Sequence, residues 1–126
     1  MIEHHQETFA VGRSEMLEFA QISGDYNPIH LDADYAITQG FQDSIVYGAL
    51  IISRVSGIIA SKFPGPGTVI GGINWKFIAP IYVNQMLTVK MKLNFSESRK
   101  KLLDLEILND LEELAQEAQL TLFIRK

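Results

Sequence analysis

Asp25-Tyr26-Asn27-Pro28-Ile29-His30 places a carboxylate and an imidazole five residues apart, with Pro28 restricting Asn27 toward extended geometry. A tight turn across this run would bring both side chains within reach of one water molecule. The residue types suit proton transfer. Imidazole titrates closer to neutral pH than any other side chain, and a neighbouring carboxylate can hold its tautomer or exchange a proton itself. Asp and Asn beside a proline also serve, and more commonly, as turn formers bonding their own backbone, so the run alone does not separate chemistry from loop structure. A metal site is poorly served. His30, Asp32 and Asp34 offer ligands, but no histidine follows them, and His4 and His5 fall at a terminus expected to be mobile. Neither a metal nor a cofactor is expected.

The elements that must position this pair can be read outward from it. Upstream, Thr8 to Val11 predicts a short strand. Ser14 then predicts a helix N-cap, followed by Glu15 in the first turn and by Met16, Phe19 and Ala20 on one helical face, and Gly24 ends the helix. Asp25 to Ser44 is a polar stretch rich in turn formers, expected to be a structured loop with a short helix near Asp34 to Gln39. Downstream, Tyr47 to Phe63 predicts a long buried helix of about 25 Å, stopped by Pro64-Gly65-Pro66-Gly67. Ala49, Ser53, Ser56, Gly57 and Ala60 recur along it at helical spacing, which predicts a flat side that strands can approach.

Beyond the Pro-Gly turn the period becomes two. Ile73, Trp75 and Phe77 alternate with polar residues, as do Leu87, Val89, Met91, Leu93 and Phe95, then Leu103, Leu105 and Ile107, and finally Leu120, Leu122 and Ile124. Asn109-Asp110 marks a turn, while Leu111 to Ala118 fits a helix as well as a strand. One long apolar helix followed by antiparallel strands has an economical solution: an α+β arrangement in which the sheet wraps the helix. Such a sheet has exposed edges, which a second copy can protect, so a homodimer is expected.

Composition narrows the rest. The 126 residues are expected to form a single domain, 1–126, and the net charge of −4 gives no basis for binding nucleic acid. Arg99-Lys100-Lys101 is a local basic cluster in a predicted turn. With no cysteine there is no disulfide or thiolate site, and MIEHHQETFA lacks the apolar core of a signal peptide, so the expected address is the cytoplasm. Ile45 to Phe63 is apolar enough to raise a membrane reading. Arg54 near its middle and Lys62 near its end, each costly in lipid, favour a helix buried in protein.

The run Phe19-Ala20-x-x-Ser23-Gly24-Asp25-Tyr26-Asn27-Pro28-Ile29-His30-Leu31-Asp32 resembles the hydratase motif of the MaoC-like (R)-specific enoyl-CoA hydratases. Tyr35-Ala36, Phe41, Ile45-Val46, Gly48-x-Leu50, Ser56-Gly57 and Phe77-x-x-Pro80-Ile81 extend the similarity over nearly the whole chain. The resemblance implies a hot-dog fold. It implies that Asp25 and His30 hold and activate the water that adds to C3 of a trans-2-enoyl thioester of coenzyme A or acyl carrier protein. It assigns the backbone N–H of Gly48 to the thioester carbonyl oxygen, and gives Ser56 and Asn27 supporting roles. Two residues depart from the family pattern. Tyr47 stands where a histidine usually precedes the glycine, with the pocket mouth or the thioester as its expected contact, and Ser44 replaces a common proline. The competing expectations are an acyl-carrier-protein dehydratase, a hot-dog thioesterase and a non-catalytic acyl-binding module. Tyr47 to Phe63 contains no Asp or Glu, which argues against the thioesterase.

Overall fold

Strict alternation produces strands wherever one face of a pleated ribbon can be buried, and Leu87, Val89, Met91 and Leu93 are all buried while Lys90 and Lys92 between them and Asn94 after them are exposed. The computed structural model describes residues 2–94 and 99–124 and gives the order β1 (Ile2–Phe9), α1 (Arg13–Ser23), α2 (Pro28–Leu31), α3 (Ala33–Thr38), α4 (Gly48–Ser61), β2 (Thr68–Phe77), β3 (Leu87–Asn94), β4 (Lys100–Leu108) and β5 (Leu114–Ile124). The strands form one sheet in the order β1-β3-β4-β5-β2, with every neighbouring pair antiparallel. Ile51, Val55, Ile58 and Ile59 of α4 are buried together with the inward residues of β3, β4 and β5, and Met16 and Ala20 of α1 join the same core. The predicted α+β hot-dog architecture is thus present. No helix among the described residues is long and apolar enough to cross a membrane.

Several local expectations are corrected. The first strand is Ile2–Phe9 rather than Thr8 to Val11, so His4 and His5 lie within a strand paired to β3 from Ile2↔Asn94 to Phe9↔Leu87. It is an edge strand formed by pairing rather than by apolar alternation. His5 stacks on Phe63 with centroids 5.3 Å apart and donates from Nε2 to Glu7 at 2.7 Å. That bond, with Lys62 alongside, holds the Glu7 carboxyl below the usual carboxylate range although burial works in the other direction. The N-cap of α1 is Gly12 instead of Ser14, because the Glu15 carboxylate reaches back to the Gly12 N–H at 3.1 Å.

The small residues of α4 do not face strands. Ala49, Ser53, Gly57 and Ala60 are exposed, since the large residues Ile51, Val55, Ile58 and Ile59 take the sheet side. Leu111 to Ala118 is turn and strand, with no helix, and Lys100 and Lys101 begin β4 rather than sit in a turn. Phe95 lies outside the described residues.

The alternation of β2 breaks at Gly71. Ile70 opposes the buried Leu122 and Ile73 the buried Leu120, so the extra residue of a bulge keeps both on one face of the sheet; Ile70 packs against the core there, while Ile73 stays exposed. A side chain at Gly71 would begin 2.3 Å from Phe123 Cε2, which explains glycine at the bulge.

Candidate active site

Gly24 ends α1 at φ 75°, a left-handed value at which glycine costs least, and the chain turns directly into Asp25. Two side-chain turns follow one another. Asn27 N–H donates to Asp25 Oδ1 at 3.0 Å, and Ile29 N–H donates to Asn27 Oδ1 at 3.2 Å, which caps α2 with Pro28 in its first turn. Asn27 therefore shapes the loop. Asp25 spends Oδ1 on that task and is exposed, while Oδ2 has no partner among the described residues.

His30 is half-buried, and its Nδ1–H donates to the Ile45 carbonyl at 2.7 Å. A carbonyl can only accept, so Nδ1 carries the proton and the neutral ring presents Nε2 as an acceptor, the form a general base requires. Ile45 N–H donates in turn to the Ile29 carbonyl at 3.2 Å, which locks the two strands of the loop. The far side of this lock is anchored by Val46 N–H to the Ile81 carbonyl at 2.8 Å and Val83 N–H to the Ser44 carbonyl at 3.2 Å. Ser44 is fully buried, and its hydroxyl is without a partner among the described residues.

Tyr47 joins the pair. Its ring stacks on His30 at 4.0 Å between centroids and 28° between planes, and its hydroxyl donates to the Asp25 carbonyl at 2.6 Å. Phe19 packs on its side at 4.9 Å. At 2% exposure Tyr47 stands behind the pair and not at the mouth of a pocket. Burial pushes its phenol pKa up, helped by the charge of Asp25 and by Tyr26, so it stays a protonated donor through the neutral range. No hydrogen bond joins Asp25 to His30 directly among the described residues; Tyr47 and the 25–30 loop hold them in common.

Gly48 is the first residue of α4, and its N–H has no acceptor among the described residues, as expected of a first-turn donor. The positive end of the helix dipole adds to this donor. Gly48, Ala49 and Ile52 form one wall of a cavity of about 670 Å³, with Phe41, Ile45 and Val46 from the loop, Phe77 at the end of β2, Ile78 to Ile81 after it, and Gln116 of β5 completing it. Ile45 connects cavity and base, lining the one and holding the other through its carbonyl. The lining is apolar apart from backbone and Gln116. Ile52 and Phe77 line it, whereas Ile51 and Val55 lie fully buried in the core.

Ser56 shares no hydrogen bond with Asp25 or His30 among the described residues. It lies eight residues along α4 from Gly48, about 12 Å by helical rise, and makes no side-chain hydrogen bond among the described residues. Arg54 is ion-paired within the chain, donating to Glu15 at 2.7 Å and covering Phe9 at 4.6 Å. Among the described residues no group of three or more His, Asp or Glu side chains converges on a metal position. A second concavity, of about 640 Å³, lies on the outer face of the sheet, where Lys90 opposes Glu106, Lys92 opposes Asp104 and Lys76 opposes Glu117. Its charges cancel in pairs, and the sheet separates it from α4.

Comparison with known proteins agrees with this geometry. Residues 3–113 match the model of the MaoC like domain, and the chain belongs to that family. An (R)-specific enoyl-CoA hydratase of Aeromonas caviae is 35% identical over 82 residues, covering 65% of this chain and 61% of that protein. A second (R)-specific enoyl-CoA hydratase, from Rhodospirillum rubrum, is 31% identical over 91 residues, 72% of this chain and 63% of that one. The chain thus spans about three fifths of the length of these curated relatives. The solved structure of an (R)-hydratase from A. caviae superposes with a TM-score of 0.91 at 26% identity, covering 98% of this chain and 95% of that one.

Proposed function

We propose that this protein is an (R)-specific enoyl-CoA hydratase, a hydro-lyase that adds water reversibly to trans-2-enoyl thioesters to give (R)-3-hydroxyacyl thioesters. The observation that carries this reading is the fixed tautomer of His30, held with Asp25 on one tyrosine, next to a helix N-terminus that opens on an apolar cavity. In the forward direction a water is held by Asp25 and His30 Nε2. Nε2 takes one proton as the oxygen attacks C3, and the electron pair of the double bond moves through C2 onto the thioester carbonyl oxygen. Gly48 N–H stabilises that enolate charge, a role suited to an oriented donor at the start of a helix. The enolate then collapses as the proton taken up by Nε2 is delivered to C2, so that H and OH have added across the bond and the imidazole is neutral again. These steps use only side chains and backbone of the chain.

The substrate is proposed to be the coenzyme A thioester. Coenzyme A and acyl carrier protein end in the same phosphopantetheine arm, so the pair cannot distinguish them; an acidic carrier protein, however, needs a basic surface, and the net charge of −4 supplies none overall. We also propose that the chain acts as a homodimer. Incubation with crotonyl-CoA tests the reaction: the enoyl absorbance falls, and chiral analysis of the product returns the (R) isomer. Release of free thiol identifies a thioesterase, unchanged substrate identifies a binding module, and the (S) isomer overturns the family-based stereochemistry.

A further inference from the structure

The inner face of β5 runs Gln116, Ala118, Leu120 and Leu122, which sets an amide among apolar neighbours. Gln116 is 3% exposed, and the Trp75 indole N–H donates to its Oε1 at 2.9 Å. An indole N–H can only donate, so the amide cannot be turned round: Oε1 faces Trp75 and the NH₂ group faces away. Among the described residues that nitrogen has no acceptor. It is not sealed in the core either, since Ser44 Oγ is the buried side-chain atom left there without a partner. The open space that Gln116 borders is the cavity beside Gly48, Ile52 and Phe77. The pinned amide thus borders a cavity whose other lining side chains are apolar. A plain alkyl chain packed there strips water from the amide and gives it no acceptor, whereas a chain carrying an oxygen removes that cost.

We propose that Gln116 Nε2 is a specificity-determining donor, and that the cavity selects acyl chains with an oxygen acceptor, such as a hydroxyl, keto or ether oxygen, beyond C3. This rests on the cavity being the acyl site of the proposed hydratase. The test is a titration with octanoyl-CoA and with saturated thioesters of the same length in which one methylene from C4 to C7 is replaced by an ether oxygen. Saturated chains bind without turnover, and Trp75, the single tryptophan of the chain, reports occupancy by its fluorescence. At least one ether position is expected to bind roughly tenfold tighter than octanoyl-CoA, with the preference lost in Gln116→Leu. Gln116→Met, of similar length, replaces the Leu variant if a circular-dichroism melt shows that variant unfolded. In Trp75→Phe, read by calorimetry, the amide is released and the preference shrinks. A flat ether scan in the wild type, or a preference that survives Gln116→Leu, overturns the proposal. Crotonyl-CoA hydration with a flat scan overturns this proposal alone, whereas no hydration and no binding of any thioester overturns the hydratase reading and this one with it.

Discussion

His30 can act as a base only while Nε2 is free and correctly aimed, and the Ile45 carbonyl secures both by holding Nδ1–H at 2.7 Å. Replacing His30 with Ala or Asp25 with Asn is expected to slow hydration at least about 100-fold with the fold intact, since acid-base groups contribute roughly 100 to 10,000-fold. Acting on one water, they should be non-additive, the double variant little worse than the worse single. Steady-state rates with crotonyl-CoA decide it, and near-wild-type turnover in either single variant sinks the assignment. Tyr47 belongs to the same unit but touches it from behind. Tyr47→Phe keeps the stacking on His30 and loses only the hydroxyl bond to the Asp25 carbonyl, a loss of about 1 kcal/mol in stability by usual hydrogen-bond values. The expected kinetic sign is a fall in kcat with KM little changed, because the hydroxyl is buried away from the cavity; a rise in KM alone would place Tyr47 on the substrate instead. Spacing alone leaves Asp25 and His30 between chemistry and loop structure, and it is the resemblance to the MaoC-like family that singles out this pair and Gly48. The position of Tyr47 stands out in the sequence, but its contacts, expected at the pocket mouth or the thioester, and the whole role of Gln116 are not legible there. Their partners lie 22 and 41 residues away in sequence, and no local pattern reports such a bond.

At the level of elements, the start of α4 decides whether Gly48 is a donor or merely a small residue. A Cβ at this position would come 2.6 Å from Phe77 Cε1, so any substitution pushes the ring, which at 57% exposure has room to swing outward. Gly48→Ala and Gly48→Pro both add that Cβ, but only proline removes the N–H. The first helical position tolerates proline, and Tyr47, with φ −55° and ψ 127°, already has the geometry that precedes one. Gly48→Pro is therefore expected to turn over roughly 100-fold more slowly than Gly48→Ala, with similar melting temperatures. Equal rates for the two variants would remove the backbone donor from the mechanism. The sheet shows which elements patterning can reveal. β3 and β4 alternate cleanly and were foreseeable, whereas β1 exists through eight pairings to β3 and carries little apolar signal of its own. β5 was ambiguous because Leu111, Leu114, Ala115 and Ala118 mimic a helical stripe. What settles it is Asn109, whose Oδ1 accepts from Leu111 N–H at 2.9 Å and Glu113 N–H at 3.0 Å while Glu112 adopts φ 61°. This turn starts the strand at Leu114 opposite Leu108 and sends Gln116 inward.

Taken as a whole, the molecule has two dissimilar sheet edges. β1 presents Glu3 and His4 to solvent, the charged and polar kind of edge that discourages pairing. β2 at the other edge leaves Ile73 at 49% and Phe77 at 57% exposure, with Ile78 at 51% just beyond it. The uncovered small-residue side of α4, with Ala49, Ser53, Gly57 and Ala60, is exposed as well. An apolar edge strand and a flat helix side suit a two-fold contact with an identical surface, which is self-complementary by symmetry. Light scattering at micromolar concentration is thus expected to give twice the chain mass of 14.2 kDa. Ile73→Glu should convert the particle to a monomer without unfolding it, because an exposed side chain contributes little to the core. Phe77 and Ile78 also line the cavity, so the same variant is expected to lose crotonyl-CoA turnover as the dimer separates. A wild-type mass near 14.2 kDa would remove the dimer, and a monomeric Ile73→Glu variant with full activity would show that one copy completes the site unaided.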